Sequence, residues 1–139
     1  MMTIKEYFKD DKFARSAGVE LLEAGSGYAK ARMEITSEHL NAGGVCQGGA
    51  IFTLADFVFG VASNSHGQLT FSISSSINFF KSVSKGFLYA SAREIFDHKK
   101  ISNCEVEVRS ETGELIAVFN GTGFRKQGEL PFERFLAEV

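Results

Sequence analysis

The amino-acid sequence predicts an α+β fold in which an antiparallel β-sheet wraps one long buried central helix. Three observations predict it. Residues 50–62 carry only two polar side chains, Thr53 and Asp56, and a helix that is apolar on every face belongs in a core. That run of 13 residues is also too long for a buried strand. Around it lie six segments with strand character, joined by short turns, and such hairpin-joined runs form antiparallel sheets. The chain has 139 residues, the usual size of one domain, so residues 1–139 are expected to form a single unit.

Each element has its own signal. Thr3 with Glu6 is a capping-box pattern, and Ile4, Tyr7 and Phe8 follow at helical spacing. A short amphipathic helix is therefore expected over residues 3–16, stopping at Gly18. Residues 19–24 form an apolar run closed by the turn signal Gly25-Ser26-Gly27. Residues 28–36 alternate, with Ala29, Ala31, Met33 and Ile35 on one face and Lys30, Arg32, Glu34 and Thr36 on the other. The glycine-rich stretch 41–49 is a loop that runs into the central helix. After that helix, residues 70–80 alternate, placing Phe71, Ile73, Ile77 and Phe79 opposite Ser72, Ser74, Ser76 and Asn78. Strands are expected at 87–96, 101–109 and 115–124, with the turn 111–114 between the last two. A final helical turn is expected around 132–136. A sheet this wide has edges and an open face, so at least a dimer is expected.

Composition narrows the function. Fifteen basic residues stand against 17 acidic ones, giving a net charge of −2, so no basic surplus exists to bind nucleic acid through counterion release. No window approaches the ~18 apolar residues of a membrane span. Residues 1–18 lack the basic-then-apolar order of a signal peptide, and the expected location is cytoplasmic. Cys46 and Cys104 form no CxxC pair, which points to neither a disulfide framework nor a zinc knuckle. The one proline, Pro131, lies after all the strand-like runs. Fourteen phenylalanines and no tryptophan describe a core of rings that need no hydrogen-bond partner.

Asp56 is the residue that does not fit. It lies mid-helix among Leu54, Ala55, Phe57, Val58 and Phe59, and burying a lone ionised carboxylate costs several kcal/mol. Helical spacing puts Gly49, Phe52, Thr53, Gly60 and Ser63 on its face, mostly small residues that leave space beside it. A carboxylate at the rim of an apolar cleft suits a general base or a nucleophile. The structural alternative is a bond to a backbone amide or a basic side chain in a packed interface. Gln47-Gly48-Gly49 enters the same helix, and a helix start presents N–H groups suited to an oxyanion, although two glycines also make a plain turn. Other chemistries lack support. There is no GxSxG elbow, and His39, His66 and His98 are scattered, so no metal ligand set is expected. Cys46 is either a nucleophile or a buried inert thiol, and the latter reading is preferred. Lys81, Lys85, Lys99, Lys100 and Lys126 are solvated turn residues or phosphate contacts.

Residues 40–56, Leu-Asn-Ala-Gly-Gly-Val-Cys-Gln-Gly-Gly-Ala-Ile-Phe-Thr-Leu-Ala-Asp, resemble the signature of the hotdog-fold acyl-CoA thioesterases, most closely the phenylacetate-pathway (PaaI-type) group. The likeness continues through Ala62-Ser63-Asn64-Ser65-His66-Gly67 and Ile77-Asn78-Phe79-Phe80-Lys81, and covers residues 19–124. It implies a hotdog fold, a homodimer or dimer of dimers, and active sites built from two chains. It further implies that Asp56 activates water or attacks the thioester carbon, that the Gly48 amide polarises the carbonyl, and that Asn41 orients water or substrate. Gly49, Ser72, Asn64 and Lys81 are the implied substrate contacts. Where the family carries a histidine before Gly-Gly, this chain has Gln47, which keeps a donor and an acceptor but does not titrate. The expected activity is hydrolysis of an acyl-CoA thioester, with coenzyme A present only as part of the substrate and no metal or resident cofactor. The alternatives are a hotdog dimer that binds acyl-CoA without hydrolysing it and, more remotely, a hydroxyacyl-thioester dehydratase.

Overall fold

The computed structural model describes residues 2–134. Two short helices, α1 (Ile4–Phe8) and α2 (Lys12–Ser16), replace the single amino-terminal helix expected from the spacing. The break falls at the doubled aspartate. Asp11 adopts an extended conformation and its side chain accepts from the Ala14 N–H at 3.0 Å, capping a new helix instead of continuing the old one. Strands β1 (Val19–Gly25) and β2 (Tyr28–Ile35) then form a hairpin whose turn holds Gly27 at φ +65°, a conformation glycine tolerates. The central helix α3 spans Gly48–Asn64, and β3 (Gln68–Phe79), β4 (Gly86–Asp97), β5 (Ile101–Ser110) and β6 (Leu115–Glu129) complete the domain.

All pairings are antiparallel, in the order β1-β2-β4-β5-β6-β3, which leaves β1 and β3 as the edges. The sheet curls around α3, which touches all six strands. Leu54, Ala55, Val58, Val61 and Ala62 of α3 are fully buried against Ala29, Ala31 and Met33 of β2, Ala90 of β4, and Val106 and Val108 of β5. The small alanines on β2 and β4 let the helix lie close to the strands. On β6 the same function falls to glycine: a Cβ at Gly121 would sit 2.9 Å from the Phe59 and Phe119 rings. No helix among the described residues is long and apolar enough to cross a membrane.

Two expectations about strands need correction. Strand β6 continues five residues beyond 124, because Gln68 pairs with Glu129 and Arg125 turns inward to the buried Glu94 carboxylate. This polar continuation has no apolar alternation to betray it. In β3 the pairing with β6 slips between Ser72 and Ser74, a bulge that flips the alternation. Ile77 and Phe79 pair with Phe119 and Ala117, which are buried, whereas Phe71 pairs with the exposed Phe124. The four apolar residues therefore do not share one face. The expected turn at 132–136 lies partly outside the described residues; within them, Phe132 forms a bridge with Met2.

Candidate active site

The segment before α3 is folded by Asn41. Its side-chain oxygen accepts from Gly43 N–H at 2.9 Å and Val45 N–H at 3.2 Å, and its backbone closes onto Val45 and Gly44. This local hydrogen bonding is what short polar side chains do in turns. Gln47 N–H reaches the His39 carbonyl at 2.8 Å, and Cys46 N–H reaches Val83 at 2.7 Å, fixing where the helix starts. Gln47 is the N-cap, with extended geometry (φ −64°, ψ 140°) and no capping bond from its exposed side chain. The N–H groups of Gly48 and Gly49 have no acceptor among the described residues. They are the free donors that every helix start carries. Gly48 opens onto a cavity of about 310 Å³ shared with Ile51, Phe79, Phe80 and Lys81, and Lys81 is paired with Glu114.

Asp56 lies on the one stripe of α3 that is not fully covered, together with Gly49, Thr53 and Gly60. Its carboxylate is half-buried and makes no hydrogen bond or ion pair among the described residues. Burial, with the Asp11 carboxylate adding to it, pushes the Asp56 carboxyl above its ordinary range. A second cavity, of about 260 Å³, joins Asp56 to Tyr7, Asp11, Gly60, Thr70, Phe71 and Ser72. The Ser72 hydroxyl lines this cavity and shares a hydrogen bond with Ser75 at 3.0 Å.

Asn64 also borders this cavity, but its amide is spent on backbone: it donates to the Gly60 and Thr70 carbonyls (2.7 and 3.1 Å) and accepts from Thr70 N–H at 2.7 Å. It is a tie between α3 and β3, and the substrate contact implied for it is set aside. The structure thus divides the expected residues into two groups. Gln47, Gly48, Gly49 and Lys81 lie at the start of α3, with Asn41 shaping the loop before it. Asp56 and Ser72 lie at the other cavity. Eight residues of helix at ~1.5 Å each put about 12 Å between the Gly48 amide and the Asp56 level, too far for one reacting carbonyl to meet both in one chain.

Sequence spacing missed two features. Tyr7 and Asp11 wall the Asp56 cavity from the far amino-terminal end; only the doubled aspartate hinted at a cap there. His66 from the turn after α3, Glu94 and Asp97 from β4, and Arg125 from β6 converge. His66 Nε2 lies 2.7 Å from Glu94 and 3.7 Å from Asp97, while Arg125 reaches Glu94 at 3.0 Å and Asp97 at 2.6 Å. The Glu94 hydrogen bond raises the His66 pKa above its ordinary value. With His66 charged, two carboxylates face two cations and the group is self-neutralised. The two cysteines are chemically quiet: burial raises the Cys46 thiol and pushes Cys104 up to about 12.

Comparison with known proteins places the chain in a family. Residues 43–117 match the Thioesterase superfamily. A candidate esterase of Archaeoglobus fulgidus is 41% identical over 130 residues, 92% of this chain and 84% of its own. The acyl-coenzyme A thioesterase PaaI of Escherichia coli is 28% identical over 127 residues, 91% of each chain. A solved structure of the E. coli PaaI protein from the phenylacetic acid degradation operon superposes with a TM-score of 0.86 at 26% identity, covering 89% of this chain and 91% of that one. A Streptococcus mutans protein solved with acetyl CoA gives 0.77 at 27% identity, covering 81% and 90%. The chain belongs to the thioesterase superfamily and is a thioester hydrolase of the hotdog fold. Within that superfamily it is of the PaaI type.

Proposed function

We propose that this protein hydrolyses acyl-CoA thioesters as a homodimer, with Asp56 of one chain and the partner subunit's Gly48 amide acting on the same carbonyl. One observation carries this reading: a half-buried carboxylate with no partner among the described residues shares a helix with amides, also unpaired among them, about 12 Å away. Each chain then holds two half-sites, and a two-fold axis joins them into two whole ones. The free edge of β3 is where that axis fits. Phe71, Ile73, Phe79 and Phe80 are 53, 61, 49 and 59% exposed on or just past this strand, unusual for an unpartnered edge. Ser75 is the midpoint between Phe71 and Phe79, so antiparallel pairing of β3 with its copy about Ser75 sets one chain's Asp56 cavity against the other's Gly48 cavity. Two such dimers pairing again give the dimer of dimers.

The chemistry follows from the groups. Asp56, with its raised pKa, removes a proton from a water molecule as the water oxygen adds to the thioester carbon. The carbonyl oxygen becomes an oxyanion held by the Gly48 N–H and the dipole of α3. Collapse restores the C=O, breaks the C–S bond and releases CoA thiolate, which takes up the proton, leaving the carboxylic acid. The similarity to the PaaI thioesterase and to an acetyl-CoA-bound structure supports coenzyme A as the leaving group. Lys81, beside the Gly48 cavity, is the candidate CoA contact, and Gln47 offers a neutral hydrogen bond at the same mouth. This route calls for no metal and no resident cofactor.

Thiol release from phenylacetyl-, benzoyl-, butyryl- and decanoyl-CoA tests the reading. Asp56→Ala should lower turnover by roughly 10²-fold or more with the dimer intact. Gly48→Pro deletes the amide at the first helical position, after a Gln47 backbone already in the conformation a pre-proline residue needs. The added Cβ would lie 3.0 Å from the Phe79 ring, so Gly48→Ala, which adds the Cβ and keeps the amide, is the control. The proline variant should cost on the order of 10²-fold in kcat. Undiminished turnover in Asp56→Ala or Gly48→Pro would remove that group from the mechanism.

A further inference from the structure

The cavity beside Asp56 has a wall contributed by a distant part of the chain. The α1–α2 arm is seated by rings: Phe8 packs edge-on against Phe57 of α3 at 6.0 Å, and Tyr7 lies 5.4 Å from Phe132. Phe57 follows Asp56 directly, so the arm is anchored one residue from the carboxylate. Asp11 comes to the cavity because it caps α2, using one carboxylate oxygen for Ala14 N–H. The titratable groups that line this space are Asp56 from α3 and Tyr7 and Asp11 from the arm, and no lysine, arginine or histidine joins them among the described residues. The remaining walls are mostly apolar, with Phe59, Leu69 and Phe71 among them.

Charge tells the two cavities apart. A space lined by two carboxylates and no cation repels the phosphates of coenzyme A, whereas the Gly48 cavity is lined by Lys81, whose ion-pair partner Glu114 lies outside the lining, and by no carboxylate. The acid-lined space is therefore the acyl end. Resting on the acyl-CoA reading above, we propose that Asp11 is a specificity-determining residue. With Asp56 it makes the acyl end reject chains that terminate in a carboxylate and admit neutral chains of the same length. An ω-carboxylate entering there would be a third negative charge beside the half-buried Asp56 and the exposed Asp11 carboxylates, against largely apolar walls, a repulsive element of the kind that sets specificity.

The test compares valeryl-CoA with glutaryl-CoA, neutral and carboxyl-terminated chains of matched length. The native protein should favour valeryl-CoA in kcat/KM by about tenfold or more, equivalent to ~1.4 kcal/mol. Asp11→Asn keeps the N-cap, since asparagine caps as well as aspartate, and removes the charge. It should narrow the ratio several-fold, mainly by lowering KM for glutaryl-CoA. Glu6→Gln, the same charge change on an exposed residue of α1 outside the cavity, should leave the ratio as it is. A ratio that Asp11→Asn leaves unchanged overturns the proposal. Asp56→Ala separates the two readings: full turnover in that variant defeats the mechanism, while the ratio still decides on Asp11. A carboxyl-carbon NMR titration of Asp56 needs no turnover at all. Its midpoint should fall in Asp11→Asn, and an unmoved midpoint also overturns the proposal.

Discussion

Asp56 works against the fold that holds it. The folded chain raises its pKa, so the native state binds that proton more tightly than the unfolded chain does. Stability attributable to this group therefore falls as pH rises from the unfolded value near ~3.9 through the folded one, and the loss persists at neutrality. Asp56→Asn keeps the shape without the titration. Its denaturation midpoint should exceed that of the native protein near neutrality, and the gap should close below about pH 4. A lower midpoint near neutrality would mean that the carboxylate is held by favourable contacts after all. Destabilisation accepted for chemistry is a common bargain at active sites. The residue was also readable in advance, because one acid in an apolar run of helix contradicts its surroundings. Asp11 was not, since only the folding of the arm carries it across 45 positions to the same cavity.

At the scale of elements, the features that alternate or run apolar were predictable from sequence. Helix α3 and all six strands follow from period and length, because burial on one face or on all faces writes itself into residue order. Interruptions were not predictable. The β3 bulge depends on pairing with β6, and the polar end of β6 depends on Glu94 and Asp97 receiving Arg125. The amino-terminal break is local, and its signal (two adjacent aspartates) was present but outweighed by the helical spacing. Glycine in β6 has a meaning only the packed structure reveals. Gly121 leaves the notch that accepts Phe59 of α3, and an added Cβ would meet two ring carbons at 2.9 Å. Gly121→Ala should destabilise by roughly 1–3 kcal/mol through overpacking, read as a lower urea midpoint with an unchanged m-value. Because Phe59 lies near the Asp56 cavity, lost turnover should accompany the lost stability.

At the scale of the molecule, the division of α3 into two working ends decides how defects combine. In the proposed dimer each end serves a different reaction centre, so the unit that fails on mutation is a pairing of ends and not a chain. Two inactive variants can then restore each other. If Asp56→Ala and Gly48→Pro chains are unfolded together and refolded in equal amounts, half of the dimers are mixed. Each mixed dimer has one centre with both groups deleted and one with both intact, so about a quarter of native turnover should return. Neither variant alone, nor the two mixed without exchange of subunits, should show it. Recovery of this kind is complementation between alleles, and in the proposed dimer it follows from helix length. Eight residues set a spacing that no single chain can close, so a damaged copy remains useful to a copy damaged elsewhere.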